Sequence, residues 1–101
     1  VTVKVVALWG NPNDPDKFEE EYGTTHPPLV AAIPGLKGAV ASKALDGSFY
    51  RMAEMTFDDI EGLQSALGSD EGVRLLADAG RLQQTYEATL EVLTVEEQAR
   101  I

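Results

Sequence analysis

An α+β domain, one antiparallel sheet with its helices on a single face, is the fold class that this sequence predicts. Three observations lead there. Residues 2–9 are rich in β-branched side chains, two apolar segments flank Asp46 and Gly47, and residues 85–94 alternate apolar and polar. Between these strand candidates lie stretches whose apolar residues recur at helical spacing. The resulting order is β-α-β-β-α-β.

The first strand, TVKVVALW, places Val3, Val5, Ala7 and Trp9 on one face and Val6 and Leu8 on the other. GNPNDPD breaks it, and Asp14 before Pro15 suits a helix start with proline in the first turn. Phe18 and Tyr22, four apart among Lys17, Glu19, Glu20 and Glu21, mark an amphipathic helix. Pro27 and Pro28 cannot donate the hydrogen bonds that would continue it, and residues preceding a proline are pushed out of the helical region. The sequence therefore predicts a break at residues 24–26 and a second segment carrying Leu29, Val30 and Ile33, stopped by Pro34 and Gly35. Residues 36–45 and 48–57 read as two strands joined by Asp46-Gly47, a two-residue hairpin signal because both central positions of such a turn need positive φ. Asp58, with Glu61 three later, resembles a capping box for a helix with Ile60, Leu63 and Leu67. Gly68 interrupts that helix, and Ser69 caps a further segment containing Val73, Leu76 and Leu82. In the last strand, residues 85–94, Tyr86, Ala88, Leu90 and Val92 oppose Thr85, Glu87, Thr89 and Glu91. The domain is expected over residues 1–95, with a loose polar tail over 96–101.

This order is the ferredoxin-like plan, with an antiparallel sheet covered by helices on one side. The first strand is apolar on both faces, so the uncovered face needs a partner. A second copy packed sheet to sheet is the simplest cover, and a homodimer is expected.

Composition narrows function. At 101 residues there is room for one core, and 44% apolar content is ordinary for a globular chain. Eight basic residues against seventeen acidic ones give a net charge of -9, which repels nucleic acid and anionic membrane. No apolar run approaches the roughly 20 residues of a membrane span. VTVKVVALW has neither the basic region nor the cleavage site of a signal peptide, so the expected location is cytoplasmic. The absence of cysteine excludes disulfides and thiolate catalysis, and one histidine argues against a zinc site. There is no phosphate-binding glycine loop, dinucleotide fingerprint or nucleophile elbow.

FEEEYGTTHPPLVAAIPGLKG carries an aromatic residue, then Tyr, then His-x-Pro-Leu, then Ile-Pro-Gly-Leu. That series resembles the signature of the EthD family. AEMTFDDIEGLQSALGSDEGVRLLADAGRL resembles the family's second half: a strand ending in Phe, a helix, a Ser-x-Glu-Gly turn and an Ala-Asp pair. The resemblance covers almost the whole chain in matching order. It implies the dimeric α/β-barrel superfamily, in which two ferredoxin-like subunits pack their sheets into a barrel. It also implies relatives that include cofactor-independent monooxygenases, dehydratases and isomerases acting on small or polyketide-derived molecules. No cofactor and no metal is therefore expected. Pro27 departs from the pattern by doubling the family's single proline at position 28.

His26 is the candidate acid/base group, since imidazole exchanges a proton near neutral pH. A buried histidine pinning the broken helix is the alternative. Tyr22, four residues earlier, could share its face and donate to a substrate oxygen, or be a core aromatic. Trp9 is a candidate pocket wall for a flat ligand, or core. Phe18, Arg51 and Asp78 complete the substrate-binding candidates. Asp78 matches the family's Ala-Asp pair and would orient His26 or cap a turn. Arg51 is a strand-face charge that should be paired or mark a site, and Tyr50 and Glu54 are expected on the opposite strand face. The expected function is a cofactor-independent enzyme, monooxygenase-like or a dehydratase or isomerase, acting on a small, largely apolar, oxygen-bearing molecule. A non-catalytic ligand-binding or partner dimer of the same fold is the alternative.

Overall fold

Strand β1 (Val3–Trp9) sits inside a four-stranded antiparallel sheet. It pairs with β3 (Arg51–Phe57) on one side and β4 (Leu90–Glu96) on the other. β2 (Gly38–Lys43) pairs with the far edge of β3, giving the order β2-β3-β1-β4. Three helices complete the chain: α1 (Pro15–Ala31), α2 (Ile60–Leu67) and α3 (Asp70–Tyr86). The structure is a computed structural model that describes all residues, Val1–Ile101. Its architecture is α+β and ferredoxin-like. No helix is long and apolar enough to cross a membrane.

Local chemistry sets the helix starts. Asp14 accepts from the Lys17 N–H with Pro15 in the first turn, Asp59 accepts from the Gly62 N–H, and Ser69 accepts from the Gly72 N–H. The cap of α2 is thus Asp59, one residue after the Asp58 expected from the capping-box spacing.

Three expectations are corrected. First, α1 does not break at residues 24–26 but continues through Pro27 and Pro28 to Ala31. The prolines leave the Gly23 and Thr24 carbonyls without helical donors. Both residues are exposed, so water can satisfy those carbonyls. Second, the hairpin is not closed by a two-residue turn. Lys43 pairs with Arg51 and the Ala44 N–H bonds the Tyr50 carbonyl, which leaves Gly47 alone at the centre of a longer loop. Gly47 takes φ 87° while Asp46 does not enter the left-handed region, so the turn lacks its second positive φ. The register puts Ala39 and Ala41 on the helix-covered face and Val40 on the other. Third, Thr85 and Tyr86 belong to α3, not to the last strand. Glu87 ends the helix at φ 50°, and β4 begins only at Leu90 and pairs as far as Glu96. The buried stripe of α3 is Gly72, Leu75, Ala79, Leu82 and Tyr86, whereas Val73 and Leu76 are more than half exposed.

The core is divided. One cluster gathers Val3, Val5 and Phe57 from the sheet with Ile33, Leu63, Ala66 and Leu75 from the helical side. The other gathers Trp9 with Phe18 and Tyr22 of α1, Ala79, Leu82 and Tyr86 of α3, and Ala88. On the opposite face of the sheet, Val6, Leu8, Met52, Leu93, Val95 and Val40 are half-buried or exposed, with no helix over them.

Candidate functional site

A cavity of about 430 Å³ lies between the covered face of the sheet and the helices. Its lining is almost wholly apolar, 18 of 21 residues. Val5, Ala7, Trp9, Ala53 and Val92 come from the sheet, Val30 from α1, and Leu75, Leu76 and Ala79 from α3. That size and polarity suit a small organic ligand.

His26 enters this cavity from α1 because it continues the Phe18 and Tyr22 face at four-residue spacing. The three rings form a ladder. Phe18 stacks on Tyr22 with centroids 5.4 Å apart, and Tyr22 stacks on His26 at 5.1 Å. Trp9 meets all three edge to face, at 5.5 to 6.4 Å. The continuity of α1 through the proline pair keeps this ladder in step.

His26 is only 8% exposed, and its Nδ1 lies 2.8 Å from Asp78 Oδ2 on α3. Arg81 donates from Nε and Nη2 to the other carboxylate oxygen, at 3.1 and 3.0 Å. Burial by itself raises the Asp78 carboxyl, but the hydrogen bonds from His26 and Arg81 and the Arg81 charge outweigh it and hold it below its usual range. Arg81 also donates to Glu21, whose second oxygen accepts the Tyr86 hydroxyl. No protein group bonds His26 Nε2. Tyr22, 6% exposed, lines the cavity with a hydroxyl that likewise has no protein partner. Burial pushes the Tyr22 phenol up, and the Arg51 charge opposes that.

A second network braces the ladder from behind. Arg51 Nη2 bonds both oxygens of Glu19, at 3.0 and 2.8 Å, and the Tyr50 hydroxyl donates to Glu19 Oε1 at 2.7 Å. Arg51 also stands over the Tyr22 ring, 5.1 Å from its centroid. Tyr50 precedes β3 and converges with Arg51 on one carboxylate, so the expected separation of the two onto opposite faces is corrected. Arg51 Nε is buried without a partner.

Of the six candidates drawn from the sequence, Trp9, Tyr22 and His26 line the cavity, and Asp78 reaches it through His26. Phe18 is wholly buried and Arg51 lies behind Tyr22, so neither is a cavity wall. Sequence reasoning missed Arg81, Glu21 and Glu19. Only Arg81 left a readable trace, three residues after Asp78 and so on the same helix face.

The family model described as the EthD domain matches residues 11–84. An uncharacterised 11.0 kDa protein from the thcB-thcC intergenic region of Rhodococcus erythropolis is 36% identical over 80 residues, covering 74% of this chain and 78% of that protein. The crystal structure of an ethyl tert-butyl ether D (EthD) family protein from Bacillus halodurans is 35% identical, with a TM-score of 0.89 over 97% of this chain and 100% of that one. SnoaB, a cofactor-independent oxygenase from Streptomyces nogalater, shares the fold at 17% identity, with a TM-score of 0.75 over 99% and 96% of the two chains.

Proposed function

This chain belongs to the EthD family, and from that premise we propose that it is a cofactor-independent enzyme acting on a small, largely apolar, oxygen-bearing molecule in the cavity, with His26 as the acid/base group. One observation carries the reading. His26 is more than nine-tenths buried, gives Nδ1 to a carboxylate, and faces an apolar cavity with Nε2 unbonded.

The chemistry follows from Asp78. Arg81 holds that carboxylate ionised, so a neutral His26 must donate to it from Nδ1. The lone pair then lies on Nε2, on the cavity side, where it takes a proton from the substrate. Asp78 stabilises the imidazolium that forms. Tyr22, kept protonated by burial, donates a hydrogen bond to the substrate oxygen on which negative charge develops. Removing a proton from the carbon next to a carbonyl yields an enolate, and removing the hydroxyl proton of a phenol yields a phenolate. That step opens oxidation by molecular oxygen, dehydration and isomerisation alike. Trp9 walls the pocket, while Phe18 and the Arg51–Glu19 pair keep Tyr22 in place. SnoaB supports the reading only through its fold, which houses an oxygenase without a cofactor.

The test is His26→Ala. Turnover of an accepted substrate is expected to fall at least about 100-fold, in line with the usual contribution of a general acid or base, while ligand affinity changes little. Turnover at the wild-type rate in the variant would refute the role. A second reading, a non-catalytic ligand carrier, is favoured by the scarcity of polar lining groups. It predicts binding without turnover even in the wild type.

The proposal extends to the assembly. The apolar face formed by Val6, Leu8, Met52, Leu93 and Val95 pairs two copies sheet to sheet as a homodimer.

A further inference from the structure

The sheet register places Ala41 beside Ala53, Ala53 beside Ala7, and Ala7 beside Val92. One row of small side chains thus crosses the covered face from β2 to β1 and ends at Val92 on β4. At the usual strand spacing of about 4.8 Å, it runs about 14 Å. The flanking rows are larger, with Val5 and Met55 on one side and Trp9, Arg51 and Leu90 on the other. The two buried clusters lie to either side of this row and do not meet across it.

Ala7 and Ala53 lie on the two inner strands, beneath helices, yet both are only half-buried. They face open cavity instead of a packed helix. Above them, Tyr22 and His26 are each more than nine-tenths buried and bring a hydroxyl and a ring nitrogen without protein partners to the same space. Both atoms are accessible from the cavity and can bond the oxygen of a bound ligand. Leu76 and Val92 line the cavity while more than half exposed, so its mouth is apolar.

We propose that the row Ala41–Ala53–Ala7 is the specificity element of this cavity, a methyl-floored slot for a flat fused-ring alcohol or phenol lying across the strands with its oxygen toward Tyr22 and His26. The inference rests on the cavity being the ligand site, though not on His26 being catalytic. A planar ring system can lie along the whole row between Trp9 and Met55 and touch every methyl of its floor, whereas a globular molecule with the same number of carbons touches fewer of them.

Calorimetric titration with 2-naphthol and with 1-adamantanol tests it, together with thermal melts of Ala53→Leu and Ala7→Leu. Wild type is expected to bind 2-naphthol at least tenfold more tightly than 1-adamantanol. Each variant should weaken 2-naphthol binding tenfold or more with an unchanged or higher Tm, because the added side chain fills open space. Should an inner-strand variant melt lower, Ala41→Leu on the exposed edge strand decides by the same tenfold criterion. No binding of 2-naphthol by wild type, no preference over 1-adamantanol, or binding within twofold of wild type in the leucine variants would overturn the proposal. The two proposals fail separately: a wild type that binds 2-naphthol as expected but turns over no substrate refutes the acid/base role and leaves the slot standing.

Discussion

Asp78 divides its oxygens between two partners, His26 on Oδ2 and Arg81 on Oδ1. Its carboxyl sits below the usual range, so folding favours the ionised form. The stabilisation is therefore complete above the unfolded value of about 3.9 and is lost as pH falls through the lower folded value. Asp78→Asn keeps the size and removes the charge. It is expected to cost about 2 kcal/mol at neutral pH, the scale of a hydrogen bond to a charged group. The gap from wild type should narrow in acid, and urea melts at neutral and acidic pH measure both values. An equal loss at the two pH values would mean that charge is not what Asp78 contributes. The approach of His26 to Asp78, 52 positions apart, depends on how α1 packs on α3. Their residue types and family motif were legible in the sequence; the distance was not. The link from Glu21 to Tyr86, 65 positions apart, left no sequence signal at all.

Glu87 decides where α3 stops and so where β4 enters the sheet. It is the one non-glycine residue with positive φ, where a Cβ crowds the backbone by roughly 1–2 kcal/mol. Glu87→Gly removes that strain and loosens the unfolded chain by about 0.4–1 kcal/mol in opposition. A net gain of about 0.5 kcal/mol and a slightly higher Tm are expected. A lower Tm would show that the Glu87 side chain makes a contact worth more than the strain. This position also explains why residues 85–94 read as one strand. Alternation of apolar and polar side chains continues across the helix end, because Tyr86 and Ala88 are both buried for separate reasons, one in the helix stripe and one in the connector. The order and type of elements were otherwise legible. The proline pair misled because exposed carbonyls tolerate lost donors, and Asp46-Gly47 misled because one positive φ suffices in a longer loop.

For the molecule as a whole, two opposing terms meet on the sheet face that carries no helix. Val40, Leu93 and Val95 are 59%, 42% and 36% exposed there, beside half-buried Val6, Leu8 and Met52. Covering such a patch favours association. Against it stand Glu91 on the same face, the Lys4–Glu54 pair at 4.0 Å, and a net charge of -9 on each copy. Glu87, which the sequence also placed on a strand face, lies in the connector and does not oppose pairing. The charges repel over a screening length that shrinks from about 30 Å at 0.01 M salt to about 8 Å at 0.15 M, whereas apolar contact is little affected. Association should therefore tighten as salt rises over this range, the reverse of an interface held by ion pairs. Sedimentation at micromolar concentration is expected to give twice the chain mass at 0.15 M salt, with dissociation favoured at low ionic strength. Leu93→Lys, opposite Val6 in the register, would place an unpaired ammonium inside the joint and is expected to yield a folded monomer at the same salt. A monomeric wild type would refute the sheet-to-sheet dimer, and a dimeric Leu93→Lys would move the interface to another surface.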